Sequence, residues 1–152
     1  MSVFRILDIA GTAMNAQSVR LNATASNLAN AESVSSSIDE TYKARRPLFS
    51  AAMDEALQYQ KNTGERADPV TGEPYGIGVR LRGIIESDAA HVTEYNPDHP
   101  LADENGYIYR PNVNPVEEMT DMMDASRSYQ TAVQVAENAR QMLLATLQMG
   151  ES

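Results

Sequence analysis

A seven-residue repeat at each end of the chain limits the fold more than any other feature. Leu7, Met14, Leu21 and Leu28 recur at this spacing, as do Met122, Tyr129, Ala136 and Leu143. Small residues lie between them: Ala10, Gly11 and Ala25 in the first repeat, and Ala125, Ala132, Ala139 and Thr146 in the second. A seven-residue period holds one stripe of a helix against a partner helix, so each end is expected to form a helix with a packing seam. A strand cannot use this spacing, because residues seven apart point to opposite faces.

Local signals set the ends of these helices. The first is expected from about Ser2 to Asn30, with Ala13, Ala16 and Ala23 favouring helix and the run Ser33–Ser37 ending it. For the second, Asn114 suits the cap and Pro115 the first helical position, while Glu117 and Glu118 suit the positive end of the dipole. Gly150 is a suitable stop. Both helices exceed the ~11–12 residues usual in soluble domains.

The middle of the chain has a different character. Residues 41–111 contain seven of the nine aromatics and six of the seven prolines, which marks turns and strands rather than helix. Ile77, Val79, Leu81 and Ile85 alternate with Gly78, Arg80 and Arg82, as in a strand with one buried face. Asn105-Gly106 before Tyr107-Ile108-Tyr109 signals a hairpin. Tyr42 to Phe49 is a further strand candidate, limited by Pro47. Ala51 to Gln60 fits a short helix, with turns at Asp68-Pro69 and Thr71-Gly72. The expected class is α+β: long N- and C-terminal helices forming a coiled-coil layer, with a small β-rich middle domain. The divisions are 1–40 (helix and loop), 41–111 (β-rich, with an insertion near 51–76) and 112–152 (helix).

Charge and composition narrow the function. The 152 residues carry 12 Lys and Arg against 21 Asp and Glu, a formal charge of −9. That argues against nucleic acid and anionic membranes as partners, since both need a cationic face. Without cysteine there are no disulfides, thiolate metal sites or Cys nucleophiles. No apolar run is long enough for direct membrane insertion, and the opening Met1–Asp8 lacks the pattern of a cleaved secretory signal.

The candidate chemical sites are weak. His91 and His99 sit in polar, turn-like stretches without metal-ligand spacing, and are expected to be solvated. Gly72–Gly78 superficially resembles a phosphate loop but lacks its Lys-Ser/Thr ending. Asp103-Glu104-Asn105-Gly106 lacks the calcium-loop pattern and fits a turn. Lys43, Arg45 and Arg46 form a small basic cluster, read as a solvated strand face. No nucleophile arrangement, cofactor motif or metal site emerges, so the expectation is a non-enzyme. Two other classes remain open: a helical adaptor or chaperone that binds a partner helix along its seam, and a hydrolase using Asp103 or Glu104. Five of the eight methionines (Met119, Met122, Met123, Met142 and Met149) lie on the last helix, beside its seam as well as in it. A helix apolar on several sides requires several partners.

These residues resemble a known family. Ser26-Asn27-Leu28-Ala29-Asn30-Ala31 resembles the N-terminal motif of bacterial flagellar axial proteins of the rod and hook. Pro111–Met119 followed by Ala125–Gln130 resembles their C-terminal region. Phe4–Gly11 and Asn96–Tyr107 look most like FlgC-type proximal rod proteins. The general Asn-Thr-x-Gly-Tyr run is absent after Asn30, which suits FlgC-type chains better than hook or distal-rod chains.

The resemblance implies a structural subunit of the proximal rod of the flagellar basal body. It implies export through the flagellar type III apparatus and assembly in the periplasm with copies of itself and FlgB-, FlgF- and FliE-type subunits. The rod would transmit torque from the membrane ring to the hook and surround the export channel. On this reading Leu7, Met14, Leu21 and Leu28 pack against Met122, Tyr129, Ala136 and Leu143. Val135, Met142 and Met149 meet neighbouring subunits. Asn27 and Asn30 satisfy backbone groups where the first helix ends.

Overall fold

A computed structural model describes residues 3–52 and 78–150. Helix α1 spans Val3–Asn30. Strands β1 (Arg45–Ala51), β2 (Val79–Glu86), β3 (Val92–Tyr95) and β4 (Tyr107–Arg110) follow, and helix α2 (Pro115–Gly150) ends the described chain. The class is α+β, with a long helix at each end and antiparallel strands between.

Local chemistry accounts for the helix limits. Asn114 caps α2: its side-chain oxygen accepts the Val116 N–H at 3.1 Å, and its carbonyl accepts the Glu118 N–H at 3.0 Å. At the end of α1, Asn30 turns its amide back to the Ser26 carbonyl at 2.8 Å, and the Ser33 hydroxyl donates to the Asn30 carbonyl at 2.7 Å. The Ser33 hydroxyl thus occupies a carbonyl that the helix leaves unmatched, while the Asn30 amide adds a second bond to a carbonyl of the last full turn.

The strands form two two-stranded sheets, β1 with β2 and β3 with β4. β3 and β4 pair antiparallel, with Val92 opposite Arg110 and Tyr95 opposite Tyr107. The Tyr95 and Tyr107 rings meet edge to face at 5.2 Å, and Arg110 reaches Glu94 at 3.0 Å. The hairpin signal at Asn105-Gly106 is real, although residues 96–106 form a longer connection than a two-residue turn. Gly106 has φ +82°, and a Cβ there would lie 3.0 Å from the Tyr95 ring. Glycine therefore relieves both the backbone and the contact. Ser35 joins the other edge of β4 through paired backbone bonds with Tyr109.

The described residues fall into two units. The first takes them from Met1–Ser18, Phe49–Arg82 and Ser126–Ser152. Its buried apolar residues are all alanines: Ala10, Ala16, Ala132 and Ala139. In this unit the Thr12 hydroxyl donates to the Ile9 carbonyl at 2.8 Å and accepts the Val79 N–H at 3.2 Å. Gly78 abuts Thr12 so closely that a Cβ would overlap its side chain.

The second unit takes Val19–Leu48 and Gly83–Ala125. It buries Ala23, Ala44, Ile108 and Ala125 together with the polar Thr24, Asn27, Thr41 and Glu118. Ile108 and Asn27 are its largest side chains below 2% exposure.

One expectation changes. The alternating segment forms β2, but seven of its eight residues are exposed, so among the described residues it has no buried face. A two-stranded ribbon carries no layer of its own to cover its apolar side. The expected short helix at 51–60 and the turns at 68–72 lie almost wholly outside the described residues.

Candidate functional site

The Asn27 side chain organises the second unit. Asn27 sits in the last turn of α1 and is 1% exposed. Its Oδ1 accepts the Arg45 N–H at 2.8 Å, and its Nδ2 donates to the Arg45 carbonyl at 2.9 Å. The amide thus behaves as a peptide group paired with the first residue of β1. Oδ1 also accepts the Tyr42 hydroxyl at 2.9 Å. That bond uses the only Tyr42 hydroxyl proton, so Ser26 is the donor in the 3.1 Å Ser26–Tyr42 contact.

A second asparagine holds the preceding residue. Asn112 Oδ1 accepts the Ala44 N–H at 2.9 Å, and its Nδ2 donates to the Ala89 carbonyl at 2.8 Å and the Ser87 carbonyl at 3.3 Å. The Ala44 carbonyl accepts the Ser87 N–H at 2.8 Å. All four backbone polar groups of Ala44 and Arg45 are therefore matched, two by Asn27, one by Asn112 and one by Ser87. A buried pair of unmatched peptide groups would cost several kcal/mol.

Asn27 thus serves β1, whereas Asn30 serves the helix end. Sequence reasoning gave both a role at the helix end and gave Asn112 none. Asn112 lies 68 residues from its partner Ala44, and no local spacing reveals such a pair.

The two glutamates at the start of α2 also separate. Glu117 is exposed and meets Arg46 at 3.1 Å. Glu118 is 3% exposed, and its Oε2 has no hydrogen-bond partner. Burial raises its pKa, against the lowering effects of the Asn27 amide and Arg46. Glu118 shares the seven-residue register of Ala125, Ala132 and Ala139, a signal that could have marked it as inward-facing.

Along the helices four of the small companion residues, Ala10, Ala125, Ala132 and Ala139, are the buried ones, whereas Gly11 is half-buried and Ala25 and Thr146 are exposed. Ala125 is fully buried, and Ala132 and Ala139 are nearly so. Leu7, Met14, Leu21, Leu28, Met122, Ala136 and Leu143 are half-buried, and Tyr129 is 37% exposed. Val135, Met142 and Met149 are exposed, with Met149 at 70%. In the first unit, Ile6, Ile9, Ala10 and Ala13 of α1 and Ser128, Thr131, Ala132 and Val135 of α2 line an open groove of about 580 Å³. Gln17 also lines it, with its buried Oε1 unmatched.

The residues weighed for chemistry have structural occupations. Asp103 accepts the Asn105 and Tyr107 N–H groups, each at 2.8 Å, and the Tyr109 hydroxyl at 3.2 Å. The Tyr107 bond leads in holding its carboxyl below the usual range. The acid is committed to the turn; Glu104 beside it is exposed. His99 Nδ1 accepts the Leu101 N–H at 3.1 Å. His91, just before β3, is half-buried with its Nδ1 shielded, which departs from the solvated position expected of it. Of the basic cluster, Arg45 meets Glu86 at 3.5 Å and Arg46 meets Glu117. Among the described residues no three His, Asp or Glu side chains form a metal site. No described helix is long and apolar enough to cross a membrane.

Comparison with known proteins accounts for this arrangement. Residues 7–34 match the family model "Flagella basal body rod protein", and residues 104–149 match "Flagellar basal body rod FlgEFG protein C-terminal". The chain is 41% identical to the flagellar basal-body rod protein FlgC of Salmonella typhimurium over 151 residues, covering 99% of this chain and 100% of the relative. It is 42% identical to FlgC of Escherichia coli O157:H7 with the same coverage. FlgC of Aquifex aeolicus is 39% identical over 131 residues, 86% of this chain and 84% of the relative. The matched regions contain Asn27, Asn30, Asn112 and Glu118, and with full-length identity near two-fifths the chain belongs to the FlgC family of flagellar basal-body rod proteins.

Proposed function

We propose that the chain is a structural subunit of the proximal rod, carrying torque from the membrane ring towards the hook and surrounding the export channel. One observation carries this reading: the helices bury alanines within the chain and leave larger apolar side chains outside. Met123, Met142, Leu144, Leu147 and Met149 are each 48% to 70% exposed along α2. Such a surface on a helix at one end of the chain suits close packing among many subunits. Stiffness would then come from many interlocked helices rather than from one strong contact.

On this proposal Leu7, Met14, Leu21, Leu28, Met122, Tyr129, Ala136 and Leu143 form the helix-packing layer, while Val135, Met142 and Met149 meet neighbours. The divisions 1–40, 41–111 and 112–152 correspond to inner helix, outer β-rich part and inner helix. The partners are copies of the chain and FlgB-, FlgF- and FliE-type subunits, reached by export through the flagellar type III apparatus into the periplasm. No cofactor enters.

The test is complementation of a motile bacterium lacking its own FlgC-type subunit. The wild-type chain should restore basal bodies with complete rods, seen by electron cryo-microscopy. Leu21→Asp should abolish them by burying a charge. Complete rods and normal swimming with Leu21→Asp would contradict the role of the helix layer.

A further inference from the structure

Asn105 is the only asparagine of this sequence that a glycine follows. Such a pair can react with itself. The Gly106 nitrogen attacks the side-chain carbonyl carbon, Cγ, of Asn105 and closes a five-membered succinimide ring. Glycine permits this best, because no Cβ hinders the approach.

The fold requires that glycine. Gly106 has φ +82°, and a Cβ there would lie 3.0 Å from the Tyr95 ring and 3.1 Å from the Pro97 side chain. Asn105 itself is exposed in the turn that leads into β4. The reactive pair therefore sits where solvent reaches it, and what keeps it intact must lie in the turn.

Asp103 closes that turn. Its carbonyl accepts the Gly106 N–H at 3.0 Å, and its own N–H donates to the Tyr107 carbonyl at 2.8 Å. Its Oδ1 accepts the Asn105 and Tyr107 N–H groups, each at 2.8 Å, and its Oδ2 accepts the Tyr109 hydroxyl at 3.2 Å. The Asn105 side-chain amide adds a hydrogen bond to the same carboxylate. On the far side, the Gly106 carbonyl accepts the Asn96 N–H at 2.9 Å.

These bonds oppose the reaction in two ways. To reach Cγ, the Gly106 nitrogen must swing about the Cα–C bond of Asn105, and that rotation breaks its bond to Asp103. The nitrogen must also lose its proton, and the Asp103 carboxylate beside it disfavours the resulting anion.

We propose that Asn105-Gly106 is a latent deamidation site, which Asp103 holds shut in the folded chain and unfolding opens. In the opened turn, hydroxide removes the Gly106 amide proton. The nitrogen bonds to Cγ, the bond from Cγ to the side-chain nitrogen breaks, and that nitrogen takes a proton from water and leaves as ammonia. Water then adds to one of the two ring carbonyls and the C–N bond on that side breaks. Opening at Cγ leaves aspartate at position 105; opening at the backbone carbonyl leaves isoaspartate. Isoaspartate lengthens the backbone by one carbon, so the spacing that lets Asp103 bond both Gly106 and Tyr107 is lost.

The proposal does not depend on the rod reading. The test is incubation of the purified full chain at mildly alkaline pH, folded and in urea, followed by peptide mass spectrometry with detection of isoaspartate. In urea Asn105 should react ahead of every other asparagine. In the folded chain it should react about tenfold or more slowly, because reaction must wait for the turn to open. Asp103→Ala, shown to be folded by its thermal melting, should lose most of this protection. If that variant does not fold, Asp103→Asn decides. It keeps an acceptor oxygen and removes the charge, and should deamidate at position 105 about threefold faster than wild type. Equal rates for the wild type folded and in urea would overturn the proposal. So would an unchanged rate at position 105 in whichever Asp103 variant folds.

Discussion

The two units of this chain are held together by opposite means. Among the described residues, the first buries only alanines of its apolar side chains, with the groove between Ile6, Ile9 and Val135 left open. Small residues let helix backbones approach closely but remove little apolar surface from water, at ~25 cal/mol per Å². The second buries polar groups, with Asn27 and Asn112 matching the backbone of Ala44 and Arg45 bond for bond. Hydrogen bonding of this kind specifies one geometry, because any slip strands a buried donor or acceptor. The lesson is a division of means: the second unit is fixed by matched polar groups, while the first relies on close approach of small residues and, on the proposed rod reading, on neighbours to cover its outer faces.

The comparison can be broken from either side. Asn27→Ala should have the largest effect. It strands the Arg45 N–H, the Arg45 carbonyl and the Tyr42 hydroxyl, and costs about 4 kcal/mol at about 1–3 kcal/mol per stranded group. Urea unfolding monitored at Tyr42 and its surroundings would measure it. A loss under about 1 kcal/mol would mean that water replaces the asparagine and that the junction is not specific.

Ala139→Leu probes the other unit. Ala139 is 2% exposed, so added methyl groups crowd the helices and cost about 2 kcal/mol. The loss should be read from the melting of α2 in the isolated chain. If the substitution instead stabilises the chain, the alanine seam is under-packed rather than close-packed.

The smallest expected effect is a pH dependence in the free chain. Glu118 has a raised pKa in the folded state, chiefly from burial, so the folded chain binds more protons than the unfolded one just above the ordinary glutamate range. Its contribution is therefore present below that range and lost as pH rises through the raised value. Melting temperature should fall over this window in the wild type and less so in Glu118→Gln. Identical slopes would mean that Glu118 ionises freely.

Much of this was legible from the residues, and the rest was not for physical reasons. Seven-residue spacing located both helices, and Asn114 with Pro115 located the start of α2 to the residue. Periodic signals arise from each segment alone. The roles of Asn27 and Asn112 depend on partners 18 and 68 residues away, and no local rule supplies those. The seam also showed which stripe repeats without showing which half of it faces inward. Larger Leu and Met positions looked like the core, whereas Ala125, Ala132 and Ala139 are the residues buried most. Glu117 and Glu118 looked alike as dipole-favouring acids, yet only Glu118 lies on that alanine stripe.

Hydrogen exchange on the purified full chain, before and after incorporation into rods, tests the division most directly. The account predicts protection in the second unit of the free chain, around Asn27, Ala44 and Ile108. Residues 3–18 and 126–149 should exchange rapidly until neighbours cover them in the rod. Equal, strong protection of both units in the free chain would contradict it, since the alanine-packed helices would then need no neighbours.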